Sequence, residues 1–333
     1  MADCIREQLE RNEELILSPR ATLSKNTKGR EVPEPESELR TAFQRDRDRI
    51  IHSSAFRRLK HKTQVFLSPE GDHYRTRLTH TLEVSQIART IAKALGLNED
   101  LTEAVALGHD IGHTPFGHAG ERAIGEITGK PFYHYEQSVR VCKRLEKGGK
   151  GLNLTAEVLD GIDRHTKGTL AFTLEGQIVR YADHIAYINH DIDDAVRAGV
   201  LKESDIPEEY RKILGGDKSA RINTMVMSVV NSSTDIIKMD EPVNSAYEGI
   251  NKFLFEKVYT NPECKSEESK VKGIIEGLFD YYISHPEKIT GEYMKVAEEE
   301  GRERAVIDLV AGMTDTYALE RYKEIYIPKS WNI

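Results

Sequence analysis

Little in this sequence invites a disulfide, a membrane or a strongly basic partner. Its 333 residues include three cysteines, Cys4, Cys142 and Cys264, an odd number, widely spaced and without a C-x-x-C pair. That argues against a disulfide framework or a thiolate zinc site and leaves ordinary reduced thiols. Long apolar runs are missing too: one of the longest, residues 225–230, falls far short of the roughly 20 residues that cross a bilayer. The first ten residues carry acidic side chains and lack the apolar stretch of a secretory signal. A soluble cytoplasmic protein without a membrane partner is expected. A positive surplus is also absent, since 47 Lys and Arg stand against 55 Asp and Glu, a formal net charge of −8. This disfavours a general nucleic-acid binder. It also means that an anionic substrate depends on local cations or metal ions to overcome the field of the whole chain.

What is present reads as helix. Apolar residues make up 38% of the chain and charged ones 31%, enough for a core under a well-solvated surface, in one large domain or two modest ones. Strand signals are weak. Residues 82–95 put Leu82, Val84, Ile87, Ala88, Ile91, Ala92 and Leu95 on one helical face, and Gly96 follows as a terminating glycine. Further helices are predicted over 99–108, 177–198 (closed by Gly199), 247–259, 266–284 and 302–322, and 40–64 reads mostly helical. Pro19, Pro33 and Pro35 make 17–38 an extended or loop arm, turns are expected at 68–72 and 148–151, and 204–217 reads as a linker. The fold class is mainly α, with an N-terminal arm at 1–39, a core at 40–203 and a C-terminal helical region, 204–333, that completes the fold.

The histidines are unevenly placed. Of twelve, His109, His113, His118 and His134 fall within 26 residues, beside Asp110. A hydrolytic metal site needs neutral imidazoles and ionised carboxylates that converge, with positions left for water and substrate. Adjacent helical residues point roughly 100° apart, so His109 and Asp110 need further ligands from other helices. His80, opening an amphipathic helix, and Asp183, in Tyr181-Ala182-Asp183-His184, are the candidates. Arg77 precedes His80 by three residues, on the same helical face. Asp183, Tyr187 and Asp191 stand at i, i+4 and i+8 and form one stripe. His118 lies beyond Pro115 and Gly117, which turn the chain out of the preceding helix.

These residues carry a resemblance. His80, His109-Asp110 and Asp183 resemble the H…HD…D pattern of the HD-domain phosphohydrolases. With Phe56 to Leu59, Lys62-Thr63-Gln64-Val65, Arg77 to Val84, Gly108 to His118 and Tyr181 to Tyr187, the chain resembles the dGTPase-like deoxynucleoside triphosphate triphosphohydrolases. Ser18 to Ser24 and Gly312-Met313-Thr314-Asp315 fit the same family, so the resemblance covers nearly the whole chain and is most specific over 40–200. It implies an HD-domain helical phosphohydrolase core with additional C-terminal helices. It also implies a divalent metal held by His80, His109, Asp110 and Asp183, a donor set that suits manganese, magnesium, iron, cobalt, nickel or zinc.

By the same resemblance His118 is the catalytic acid at the 5′ oxygen, apt because imidazole titrates near neutral pH. Glu121 orients it, and His113 and His134 stand near the phosphates or the metal-bound water. Arg77 contacts phosphate through a bidentate guanidinium. Tyr187 packs under the deoxyribose, while Asp191 and Gln64 meet the 3′-hydroxyl in a fit that rejects a 2′-hydroxyl. His165 is a phosphate candidate, and His184 and His190 flank the sugar stripe.

The implied reaction is hydrolysis of a deoxynucleoside triphosphate to the deoxynucleoside and inorganic triphosphate. The alternatives are an HD-type nucleotidase or phosphodiesterase, which the sugar stripe and Gln64 disfavour, and a nucleotide-sensing regulator with low turnover. Deoxynucleoside triphosphates are the implied small-molecule partners, with self-association into a homo-oligomer. Single-stranded DNA, to which some relatives respond, is disfavoured by the acidic balance and the lack of a dense basic–aromatic tract.

Overall fold

A computed structural model describes residues 4–64, 75–166, 168–259 and 262–329, with the backbone alone for 259 and 262–268. The turn expected at 68–72 lies outside the described residues. Among them every regular element is helical, and extended pairing is confined to two isolated bridges, Arg30 with Thr155 and Thr63 with Thr76. The mainly α expectation holds. No helix among the described residues is long and apolar enough to cross a membrane. The chain groups into two compact units: Met1–His52, His80–His109 and Asn153–Asn261 form the first, and Ser53–Thr79, Asp110–Leu152 and Pro262–Ile333 the second.

In the first unit the helices begin where side chains can cap them. Thr41 opens helix Ala42–Ile51 with a reciprocal box: its hydroxyl accepts from the Gln44 N–H at 3.5 Å, and the Gln44 side chain accepts from the Thr41 N–H at 3.2 Å. Asn98 caps Glu99–Gly108 and Thr173 caps Leu174–Arg197, each by accepting a backbone N–H of the first turn. Phe43, Ile50, Leu101, Val105, Val158, Ile162, Ile178 and Ile185 are buried together with these helices.

The arm is extended as expected, apart from one tight turn, Ser24–Asn26. It is tied down by two buried carboxylates of the same unit. Glu175 accepts from the Thr22 N–H and hydroxyl, both at 2.9 Å, and from the Asn98 N–H at 3.1 Å. Glu157 accepts from the Thr27 hydroxyl at 2.7 Å and the Lys28 N–H at 2.6 Å. The helix Ile5–Ile16 ahead of the arm was not foreseen; none of its residues is buried, so it has no core-facing stripe to reveal it.

Three other expectations are corrected. The stretch 204–217 is not a plain linker but carries helix Glu208–Leu214, started after Pro207 and ended at Gly215, where φ is 113°. Proline before and glycine after marked a helix rather than a loop. The helix expected from 247 begins earlier, at Glu241, because Asp240 caps it and Pro242 sits in its first turn; its expected end, Phe255–Tyr259, is a wider π turn. In the second unit, the helix expected over 302–322 is two, Arg302–Ala311 and Asp315–Tyr326, because Thr314 turns its hydroxyl back to cap the second by accepting from the Tyr317 N–H at 3.1 Å. Those two helices, Pro262–Ser284 and Gly117–Thr128 enclose the second core, with Phe116, Ile124, Ile275, Leu278, Val306 and Val310 inside it.

Replacing Glu175 by Ala strands three donors, two on half-buried Thr22 and one on buried Asn98, and should lower the unfolding free energy by about 2–3 kcal/mol. A urea midpoint equal to that of the parent protein would show that the arm is not anchored this way.

Candidate active site

Three helices of the first unit supply one cluster. His80 comes from the first turn of Arg77–Ala94, His109 from the residue that ends Glu99–Gly108, and Asp183 from the middle of Leu174–Arg197. The His80 Nε2 lies 3.0 Å from Asp183 Oδ1, and the His109 Nε2 lies 3.8 Å from the same oxygen. His109 Nδ1 is 2.6 Å from the Ala106 carbonyl, an acceptor only, so that nitrogen carries the proton and Nε2 presents its lone pair toward Asp183. His165 repeats the device, with Nδ1 2.7 Å from the Ile162 carbonyl, and its ring meets that of His109 edge-on at 5.0 Å. Donor atoms of His109, His165 and Asp183 all lie within 4.8 Å of one another. Behind His80, its Nδ1 is 3.2 Å from His190 Nδ1, and His190 Nε2 is 2.5 Å from Glu83 Oε2. Imidazole nitrogens gathered about a carboxylate, two of them on rings whose Nδ1 donates to a helix carbonyl, are a donor set that fits a divalent metal ion.

The stripe continues along Leu174–Arg197, where Asp191 is fully buried and Tyr187 half-buried. Sequence reasoning missed Tyr247, from helix Glu241–Leu254, which joins them. Its ring stacks on His184 at 5.5 Å, 15° from parallel. Burial first, then Asp183, Glu248 and Asp191, push its phenol far above the usual range. Tyr247 gave no local signal, since it reaches the site only through packing, and His165 was raised by the family resemblance alone. His190 did give one, standing on the helix of Asp183 at i+7.

The division between the units falls at the His109–Asp110 bond, so Asp110 belongs to the second. There a line of alternating groups runs through buried side chains. Arg77 Nη1 donates to Asp110 Oδ2 at 2.8 Å, and Asp110 Oδ1 is 3.1 Å from His113 Nε2. His113 Nδ1 is 2.7 Å from Glu121 Oε1, and that oxygen is 3.2 Å from His134 Nδ1. The His113 and His134 rings stack at 3.9 Å, 11° from parallel. Burial raises the Glu121 carboxyl, but His113 and His134 more than reverse this and hold it well below the usual range. His134 is lowered, by burial first and then by His113, against the pull of Glu121. The polar contacts of Glu121 thus go to His113 and His134, whereas the sequence reading had it orient His118.

His118 sits in the first turn of Gly117–Thr128, with its ring 5.3 Å from that of His113 and 5.8 Å from that of His134. It is more exposed than its neighbours. Even so, the surrounding protein withholds solvation and lowers its pKa, with His113, Arg77 and His134 adding and Glu121 opposing. Donor atoms of His113, His118, Glu121 and His134 lie close enough to share an ion. However, rings stacked in near-parallel planes are poorly placed to aim in-plane lone pairs at one metal. The set suits proton handling better.

Two glycines make this geometry accessible. A Cβ on Gly112 would lie 2.1 Å from the Ser138 nitrogen, so only glycine lets helix His134–Arg140 approach and bring His134 over His113. Gly117, at φ 56°, would put a Cβ 2.8 Å from Arg77 Nη2. Arg77 is 2% exposed, and its Nε and Nη2 have no hydrogen-bond partner among the described residues. Gln64 is buried with its side-chain carbonyl oxygen likewise unpartnered.

Residues 77–188 match the HD domain family, and residues 237–324 match the phosphohydrolase-associated domain. A protein of Caldanaerobacter subterraneus subsp. tengcongensis, named deoxyguanosinetriphosphate triphosphohydrolase-like protein, is 56% identical over 329 residues, 98% of this chain and 97% of its own. A protein of Clostridium tetani with the same name is 48% identical over 338 residues, again 98% and 97% of the two chains. The solved structure of a hypothetical protein from Aquifex aeolicus aligns with a TM-score of 0.46 at 16% identity, over 83% of this chain and 67% of that one. With near-complete coverage at such identity, and the HD histidine–aspartate pair inside the matched segment, the chain belongs to the dGTPase-like family of HD-domain hydrolases.

Proposed function

We propose that this protein hydrolyses a deoxynucleoside triphosphate to the deoxynucleoside and inorganic triphosphate. One observation carries the reading: His80, His109 and Asp183, from three separate helices, turn donor atoms toward one another, and Asp110 is the next residue after His109. The names of the relatives support the same substrate class. A divalent metal held by His80, His109, Asp110 and Asp183 would polarise the α-phosphate and lower the pKa of a bound water.

The remaining work falls to the protein. Arg77 is fixed by Asp110 through Nη1 and offers Nε and Nη2 to the phosphates, a local cation in an acidic chain. His118 donates the proton to the leaving 5′ oxygen. Its lowered pKa leaves it neutral in the free protein, and the negative charge of an arriving triphosphate raises it toward protonation. The His113–Glu121–His134 chain stands beside it, with the His113 and His134 rings 5.3 and 5.8 Å from that of His118. Tyr187 would pack against the sugar, and Asp191 and Gln64 would take the 3′-hydroxyl, a fit that would reject a 2′-hydroxyl.

Incubation with each deoxynucleoside triphosphate and manganese or magnesium should release tripolyphosphate; release of only pyrophosphate or monophosphate would sink the assignment. Substituting His118 by Ala should reduce kcat by about 10²- to 10⁴-fold with bound metal retained. His80→Ala or Asp183→Asn should instead lower the metal content measured by elemental analysis.

A stability profile provides a separate check. His134 has a folded pKa below its ordinary 6.5, so the unfolded chain binds the proton more tightly. Its contribution is therefore fully present above pH 6.5 and is lost as pH falls below that. Glu121, depressed from 4.5, adds a loss only below pH 4.5. The melting temperature should decline between pH 6.5 and 5, and less steeply in His134→Asn; an equal slope in both proteins would refute the attribution.

A further inference from the structure

Two sequence motifs take no part in the proposed reaction, Lys62-Thr63 and Gly312-Met313-Thr314-Asp315. In the second unit they meet. Asp315, 3% exposed, opens helix Asp315–Tyr326. Its Oδ1 accepts from the Phe116 N–H at 2.9 Å, and its Oδ2 accepts from the Thr63 N–H at 2.9 Å and the Thr63 hydroxyl at 2.7 Å. Lys62, also buried, donates from Nζ to the His113 carbonyl and, at 3.1 Å, to the Ala311 carbonyl. The loop 113–116 is thus gripped at both ends, by a lysine on its first carbonyl and a carboxylate on its last N–H.

That loop has a conformation that needs gripping. Phe116 is in the left-handed region at φ 63°, where a residue with a Cβ is disfavoured, and Gly117 comes next at φ 56°. The Phe116 ring is buried in the second core, so the strained residue is fixed by its side chain on one side and its N–H on the other. Thr114 closes the turn, its hydroxyl donating to the Gly117 carbonyl at 2.8 Å. His118 emerges two residues past Phe116. A carboxylate is well suited to the task, since its two oxygens serve two backbone N–H groups and a hydroxyl at once. Burial, then Arg58, pushes the Lys62 amine down to about 7. Neutral or protonated, it has N–H groups enough for its two carbonyls, so the grip does not depend on its charge.

We infer that Lys62 and Asp315 are positioning residues that clamp the loop 113–116 and thereby set where the His118 imidazole stands. The inference rests on the reading of His118 as the proton donor, and the test separates the two. A misplacement of about 1 Å in a catalytic group can cost on the order of 10²-fold in rate. Asp315→Ala should therefore lower kcat by about 10- to 100-fold and leave KM within about threefold.

The experiment uses the full chain and four variants: Asp315→Ala, Asp315→Asn, His118→Ala and the double Asp315→Ala/His118→Ala. Hydrogen exchange over peptides spanning residues 111–118, and steady-state kinetics with a deoxynucleoside triphosphate, are measured on each. In Asp315→Ala, exchange over that segment should rise about tenfold or more while the rest of the chain keeps its protection. Because the clamp acts through His118, the double variant should be no slower than His118→Ala alone. Unchanged exchange, or a kcat loss of the same size in the His118→Ala background, overturns the clamp. A His118→Ala protein as active as the parent overturns the proton-donor reading instead, and the exchange result still decides whether the loop is clamped. Should Asp315→Ala fail to fold, Asp315→Asn keeps one acceptor and the same size. It should then show intermediate exchange and intermediate kcat, and parental values for both would overturn the proposal.

Discussion

Asp110 held by Arg77 is the interaction on which the second unit's line of ionisable side chains depends. Arg77 without Asp110 would be a buried charge lacking its carboxylate, a cost of several kcal/mol. Together they neutralise each other across 2.8 Å. The pairing also sets the order of the groups beyond it: the second oxygen of Asp110 meets His113, His113 meets Glu121, and Glu121 meets His134. Each acidic group has a basic neighbour on both sides, so a line of ionisable side chains survives in the interior without an orphaned charge. Because only Nη1 of Arg77 is used in this, the guanidinium remains a donor toward an anion.

The acidic balance of the chain thus stops being an obstacle to binding a polyphosphate. The surface charge acts over a screened distance of roughly 8–10 Å, whereas Arg77 acts from a dry position where the effective dielectric is low. The histidines add a reserve. His118 and His134 are held below their ordinary pKa and are uncharged at neutral pH in the free protein. Incoming negative charge favours their protonated forms. A site made this way carries little positive charge when empty and gains it in the presence of the ligand that needs it.

Much of the helical layout was legible because it is written locally. The apolar residues of 82–95 recur at helical spacing, and Gly96 and Gly199 mark ends. The His109-Asp110 pair and the Asp183–Tyr187–Asp191 stripe were visible for the same reason: spacing along one chain segment fixes their direction. What escaped was decided by residues distant in sequence. Glu121 chooses between His113, His134 and His118 only once helix His134–Arg140 is packed over Gly112. Tyr247 becomes a neighbour of its cluster by packing alone. The break at Thr314 depended on one hydroxyl turning back to the backbone, a choice that the apolar period of 302–322 does not register. The helix Ile5–Ile16 escaped for the opposite reason, since no residue of it is fully buried and its inward side carries Arg6, Glu10 and Glu13 beside Leu9.

The position of the histidine–aspartate pair at a helix end has a physical basis of its own. The last turn of a helix leaves carbonyls without intrahelical donors. His109, at the end of Glu99–Gly108, uses one of them: its Nδ1 finds the Ala106 carbonyl three residues back. His165, just past the end of Ala156–Asp163, does the same with Ile162. In mid-helix those carbonyls would already be accepting from the backbone, and the ring would be less firmly fixed. A helix terminus therefore supplies, without any further side chain, the bond that sets the imidazole tautomer and turns Nε2 toward Asp183. Two histidines from two helix ends, each oriented by its own helix, meet a carboxylate from the middle of a third. That carboxylate can stand mid-helix because it needs no tautomer fixed.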